Sequence, residues 1–446
     1  MDFIDEFEDV IKAGVNGNID GTLLNADKDF IYEFAETLNL VIRYYFRYDG
    51  KPNENFSFIA NSSLSGGSFP CAASECRLNK LDQLASFSSL YSDEVYIQNP
   101  FEEIVLRGRG GINLTARHEI ISGIYNYIYL KPLIKRGIIK YAQNMVSLCN
   151  NHRINLAEPI AKKIQQKEDK LYNLLHDFLL DTCEVTLSLT HDKKPFFEIK
   201  SSTEFIEHGV SYFHLMEPFG DYIDHLCTKE MPYVFTKNEI KNEHILRLII
   251  TPLIKDLSDQ EWHSAFYGTS YLCDNQIQMD IASKLNNPVY KANSTSFNQA
   301  LKHYLPSIKS RNLEYILDLR NREEEAFNVY RDKINTMFRK SADWNQKDIS
   351  DAFRDQILPE IHIIEKKVKD WKEKTRSGIK DKLIIGTGTV SFGLYSGILP
   401  HDISHLLAAV GGGAAVVSTL IDYSKTLKGK NEARSNDFYF LWQAKK

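Results

Sequence analysis

The spacing of apolar residues divides this chain into stretches of different period. Over residues 26–47, Phe30, Phe34, Leu38, Val41 and Tyr45 recur every three or four positions, which predicts an amphipathic helix. The cluster Asp49-Gly50-Lys51-Pro52-Asn53 ends it. A short apolar run at 56–60 predicts a strand, and the Gly- and Ser-rich segment from Leu64 to Cys71 a loop. A helix through Leu81, Leu84 and Phe87, a strand at 95–98, a helix at 113–135 and a third strand at 137–141 follow. Strands and helices alternating through short links predict a parallel βαβ region over residues 1–150.

The pattern then changes. Residues 157–181 have helical periodicity, opened by Glu158-Pro159 in positions that suit a first turn. Glu184–Leu189 and Phe196–Lys200 are β-rich and predict an antiparallel hairpin. From 203 to 306 the expectation is helical, broken at Pro218, Pro232, Pro252 and Pro288, so 151–306 reads as a mostly helical region with one hairpin. Within it, Trp262, His263, Tyr267, Tyr271 and Asp274 read as the interior of that helical region. In the third region, 307–446, one apolar seam runs through Leu313, Ile316, Phe327, Tyr330, Ile334 and Met337. Past the break at 341–346, a second runs through Phe353, Ile357, Ile361, Ile364, Val368 and Trp371. Two long helices joined this way predict an antiparallel α-hairpin.

Two uncharged runs follow, 383–399 and 404–421, expected as a Gly-rich apolar helical pair. Thr389, Gly393 and Gly397 recur every four residues, as do Ser404, Ala408 and Gly412, so two helix backbones can approach closely. Each run has about the 20 residues that cross a bilayer, and lysines flank the pair. The same features suit a packed hairpin inside a protein core, where the Gly, Thr and Ser residues and His405 are less costly than in lipid. The fold class expected is therefore mixed α/β and predominantly helical. It comprises a small βαβ-type N-terminal region, a helical middle, the α-hairpin and the apolar pair.

Composition adds bounds. Apolar residues make up 43% and charged residues 25% of 446 positions, enough to bury a core. The formal charge of −5 gives no general reason to expect nucleic acid. The acidic start lacks the basic and apolar regions of a secretory signal, and six scattered cysteines do not form a disulfide framework, so a reducing cytoplasm is expected, with membrane association through 383–421 as a triggered alternative. The Lys, Asn and Ile usage suggests a bacterial origin.

Four groups of residues can carry chemistry. Cys71, Cys76, Cys149 and His152 supply the Cys3His ligand types of a structural zinc, against which stands the reading of Cys71 and Cys76 as small buried hydrophobes and of Cys149 and His152 as residues at a helix end. Arg107, Arg109, Gly110 and Gly111 lead into Asn113, a suitable helix N-cap, and combine exposed amides with positive charge as an anion cradle; a turn with solvated arginines is the plainer reading. His208, His214, Glu217, Asp221 and His225 crowd one segment as metal ligands or acid–base groups, with His214/Glu217 and Asp221/His225 at helical spacing and Pro218 between the pairs. Tyr439 and Trp442 in the aromatic ending read as a docking strand or a partner-binding tail. With no complete catalytic constellation, the leading expectation is a non-enzymatic bacterial effector, of a stress, toxin or antiviral-defence kind. It would assemble with itself or a protein partner through the helical C-terminal region. The alternative is a metal-dependent hydrolase or phosphate-ligand enzyme using the 107–111 loop and the 208–225 cluster.

Overall fold

The computed structural model describes residues 2–15, 17–47, 57–69, 74–143, 158–201, 209–215, 225–226, 228–267, 269–274, 306–309, 313–340, 384–387, 391–393, residues 150 and 154, and parts of 351–370. Helices α1 (Phe3–Val15), α2 (Ile19–Asn25) and α3 (Lys28–Tyr45) open the chain. The Asp27 carboxylate accepts from the Phe30 N–H at 2.7 Å and caps α3, whose apolar face (Ile31, Phe34, Leu38, Val41, Ile42) is buried. Then come β1 (Ser57–Ala60), α4 (Ser74–Tyr91), β2 (Glu94–Ile97), α5 (Glu102–Arg107), α6 (Leu114–Lys135) and β3 (Ile139–Tyr141). The three strands are parallel, with Ser57 opposite Glu94 and Val95 opposite Ile139. All four residues of β1 are buried, as expected for a parallel strand covered on both faces.

The middle of the chain begins with α7 (Glu158–Thr182). The strands β4 (Cys183–Leu189), β5 (Pro195–Ser201), β6 (Val210–His214) and β7 (Tyr233–Val234) form an antiparallel sheet in the order β6-β5-β4-β7. Val185 and Leu187 alternate with more exposed neighbours along β4, so one face is packed. That face shares a core with Leu171, Leu175 and Leu179 of α7, Ile240 of α8 (Lys237–Asn242), and Ile250 and Leu253 of α9 (Arg247–Tyr267).

The helical expectation for 203–306 is corrected at three places. β6 continues the hairpin as a third antiparallel strand, where its Val-Ser-Tyr-Phe sequence suits a pleated surface. β7 pairs with β4, placing Tyr233 opposite Leu187. β8 (Ser270–Cys273) leaves the middle region to lie parallel to β1, with Ile59 opposite Tyr271. Tyr271 thus belongs to a strand of the first sheet, and Asp274 stands immediately after it.

After β9 (Pro306–Lys309), α10 (Leu313–Arg322) and α11 (Glu324–Lys340) form the first arm of the expected hairpin, broken at Glu323. Described residues of 351–370 are helical, with a wide turn at Phe353–Ile357. Glu323 pairs with Lys367 at 2.7 Å and Lys333 with Glu360, so the two arms run antiparallel. Leu313, Ile316, Leu317, Phe327 and Tyr330 are buried in the same core as β1, β2 and β3.

Residues 384–387 and 391–393 are strands, β10 and β11, where a helix was expected. β10 pairs antiparallel with β9, and β11 pairs antiparallel with β8. The run is rich in Ile, Thr, Ser and Gly, residues of modest or poor helix propensity, and the partner edges at β9 and β8 decide the outcome. The second run, 404–421, and Tyr439 and Trp442 lie outside the described residues. No described helix is long and apolar enough to cross a membrane.

Candidate functional site

The first sheet has the order β11-β8-β1-β2-β3. From β1 the chain steps outward to β2 and β3, then returns much later to the other side of β1 as β8. The direction of winding therefore reverses between β1 and β8. In open α/β sheets, the loops leaving the carboxyl ends of strands on either side of such a reversal diverge and leave a crevice.

The residues at this edge are polar and held together. Asp274, with a side chain only 4% exposed, accepts from the Asn61 amide at 2.8 Å and the Ser63 hydroxyl at 3.1 Å, and pairs with the Lys80 ammonium at 2.6 Å. Asn61 follows β1 directly, its N–H donating to the Leu272 carbonyl of β8 at 2.9 Å. Its side-chain oxygen accepts from the Leu64 N–H at 3.1 Å and turns the loop back on itself. The buried Asp256 of α9 accepts from the Ser62 N–H at 2.8 Å, and Gln98, just beyond β2, approaches the same oxygen at 3.5 Å. Five separate segments thus meet at the carboxyl edge.

The loop itself is tightly folded. Gly66 has a φ of +82°, in the left-handed region, and its carbonyl accepts from the Arg77 guanidinium at 2.8 Å. A Cβ on Gly67 would lie 2.8 Å from the Ser62 carbonyl oxygen, so the chain can close there only with glycine. Arg77 also donates to the Ser122 hydroxyl of α6 at 2.7 Å. Burial lowers the Arg77 pKa, against the opposing pull of Glu119. Phe69, at the end of the loop, packs against the core of the antiparallel unit. The site accordingly lies where the two cores meet.

The 107–111 loop borders this edge through one of its two arginines. Arg107 pairs with Glu103 at 3.1 Å and Glu119 at 3.4 Å, and Glu103 also pairs with Lys255 of α9 at 3.1 Å. Burial works to raise the Glu103 pKa, but Lys255 and Arg107 pull it below the ordinary carboxylate value. Burial raises Glu119, even with Arg107 beside it. Arg109 turns away, bonding Asp29 at 2.8 Å and Glu33 at 3.1 Å and lying over the Tyr32 ring. Asn113 caps α6, accepting from the Ala116 N–H at 2.9 Å. Gly110 has open space around it, whereas a Cβ on Gly111 would meet Arg107. Both arginines are therefore engaged by carboxylates, which compete with any anion for the same donors.

Of the remaining expected residues, Cys76 is exposed on α4, while Cys71, Cys149 and His152 lie outside the described residues. His208, Glu217 and Asp221 lie outside them as well. His214 is on strand β6, opposite Phe196, so helical spacing does not apply to it. His225 is exposed, 3.5 Å from Glu243. No group of three metal-ligating side chains converges among the described residues. The carboxyl-edge cluster was missed by sequence reasoning because Asp274 and Asn61 are 213 positions apart. The one local signal was the compact Asn61-Ser-Ser-Leu-Ser-Gly-Gly67 turn directly after a buried strand. No protein family, no curated protein and no solved structure matches the chain.

Proposed function

We propose that this chain is a ligand-responsive interaction protein. Its α/β unit receives a small polar molecule at the carboxyl edge between β1 and β8, and its helical hairpin supplies the surface through which it assembles. The observation that supports this reading is the meeting of Asp274, Asn61, Ser63 and Lys80 at the point where the sheet reverses direction. Hydroxyl, amide, carboxylate and ammonium groups together offer both donors and acceptors, as a site for a polar ligand requires. Binding is favoured over acid–base catalysis because the Asp274 carboxylate oxygens are already engaged by three donors, two from the loop after β1 and one from α4. An effector role in a bacterial cell is consistent with this architecture.

The test is a thermal-shift panel of nucleotides, sugar phosphates and amino acids on the full chain. A ligand for this edge raises the unfolding midpoint by about 2–4 °C, because it binds the folded state alone. Asp274→Asn removes that rise. A panel in which no compound moves the midpoint, or in which Asp274→Asn leaves the rise intact, overturns the reading.

A further inference from the structure

Helix α4 has a different role at each end. Near its start it carries Arg77 and Lys80 into the carboxyl-edge cluster, onto Gly66 and Asp274. At its far end, the Arg320 guanidinium of α10 reaches the Ser88, Ser89 and Ser92 carbonyl oxygens at 3.4, 3.3 and 2.8 Å. It also lies 3.7 Å from Asp93. A cation on the last carbonyls of a helix satisfies acceptors with no partner inside the helix and complements its dipole. The helical arm is thus fixed to the end of α4 by a charged contact as well as by packing.

Between these ends, α4 has little freedom to deform. Residues 84–89 are buried in succession, which is possible only for a helix enclosed on all sides. The Ser88, Ser89 and Ser92 hydroxyls donate to the Leu84, Ala85 and Ser88 carbonyls, so small polar side chains are satisfied locally while neighbours approach closely. The Phe87 ring meets the Phe58 ring of β1 edge-on at 5.4 Å. α4 packs against α6, α10, α11 and β9. A close-packed element held on all sides moves as a body between discrete arrangements, and does not absorb a displacement locally.

We propose that α4 couples the carboxyl edge to the helical hairpin: a change in the Lys80–Asp274 pair alters how α10 seats on the far end of α4, and a change at Arg320 alters the 61–69 loop. This rests on the ligand-responsive reading for its biological use, but the mechanical coupling is tested without any ligand. Lys80 and Ser92 are twelve positions apart, about 18 Å along a helix. Substitutions so far apart normally act independently.

The experiment is amide hydrogen exchange on the full chain, its Lys80→Gln and Arg320→Gln variants, and the double variant. Coupling predicts that Lys80→Gln speeds exchange in 313–322 by about fivefold or more, and that Arg320→Gln does the same in 61–69, since coupling between sites is reciprocal. The double variant then departs from the product of the single effects. Ser63→Ala, which removes a milder donor to Asp274, serves if Lys80→Gln does not fold, with the same prediction for 313–322. Leu187→Ala in the other core, against which Phe69 packs, controls for general loss of stability: it leaves the relative exchange of 313–322 unchanged, whatever it does to Phe69. Effects confined to the mutated end, with the double variant equal to the product of the singles, overturn the proposal. A failed ligand panel with positive coupling removes only the ligand reading.

Discussion

The parallel and antiparallel sheets solve the same burial problem differently. In the parallel sheet, β1 is buried at every position, and polar function is left to the strand ends and the loops beyond them. In the antiparallel sheet, Val185, Leu187, Phe197 and Ile199 fill one face while Glu184 and Tyr212 meet solvent. Its strands β4, β5 and β6 also connect in order, each pairing with the next. The first sheet instead takes its parallel strands from residues 57–60, 94–97, 139–141 and 270–273, with an antiparallel fifth at 391–393. Local assembly yields a support, whereas assembly over long separations brings distant side chains to one edge. The candidate site belongs to the second kind.

The comparison is sharpened first by cutting each core. Phe58→Ala leaves a large void where β1 meets α4 and is expected to cost about 3–5 kcal/mol. Leu187→Ala in the antiparallel unit is expected to cost about 2–5 kcal/mol. If the two cores are energetically separate, each variant lowers hydrogen-exchange protection mainly in its own sheet. Equal loss in both sheets would make them one cooperative unit. Asp274→Ala comes next: it removes the acceptor that Lys80, Asn61 and Ser63 share and should cost about 1–3 kcal/mol by denaturant unfolding, the usual range for deleting one partner of a buried hydrogen bond. A cost below about 0.5 kcal/mol, the usual range of a surface substitution, would show the cluster to be loosely held.

The pH dependence gives a smaller effect. His263 is buried beside Tyr267, and burial lowers its pKa below 6.5, against the pull of Asp259. The folded state then binds fewer protons than the unfolded one below pH 6.5, so stability is present above that value and falls as acid is added. His263→Gln should flatten that part of the stability–pH curve. A slope unchanged in the variant would place the proton uptake elsewhere. Least of all, Arg109→Gln should leave the unfolding midpoint unchanged within error, because its pairs with Asp29 and Glu33 are exposed and screened. A clear loss in low salt would make the 107–111 loop more than a surface turn.

Much of the first sheet was legible because its strands are short apolar runs between Gly, Pro and Asn breaks, with longer helical stretches between them. β1, β2 and β3 fall within a few residues of where the pattern put them, and so does the β4–β5 hairpin. β8 was not legible, because Ser270-Tyr-Leu-Cys273 is four residues long and takes its conformation from β1, more than two hundred positions away. The strands at 384–387 and 391–393 escaped for a related reason: the small residues recur every four positions, but the uncharged run has no polar face to separate helix from strand, so the partner edge decides its form. The Arg107–Asn113 segment was placed well locally, down to its helix cap, but its charge partners Asp29, Glu33 and Glu119 could not be read from spacing.

The position of β8 also bears on how the chain is made. Between the synthesis of Ala60 and that of Cys273, one edge of β1 has no partner from its own sheet, while its other edge can already pair with β2. At about 5–20 residues per second, that interval lasts on the order of ten seconds or more. An unpaired apolar strand edge is a template for wrong pairing, and contacts closed over such separations form slowly. A newly made protein truncated before residue 270 should therefore aggregate far more readily than one truncated after 274.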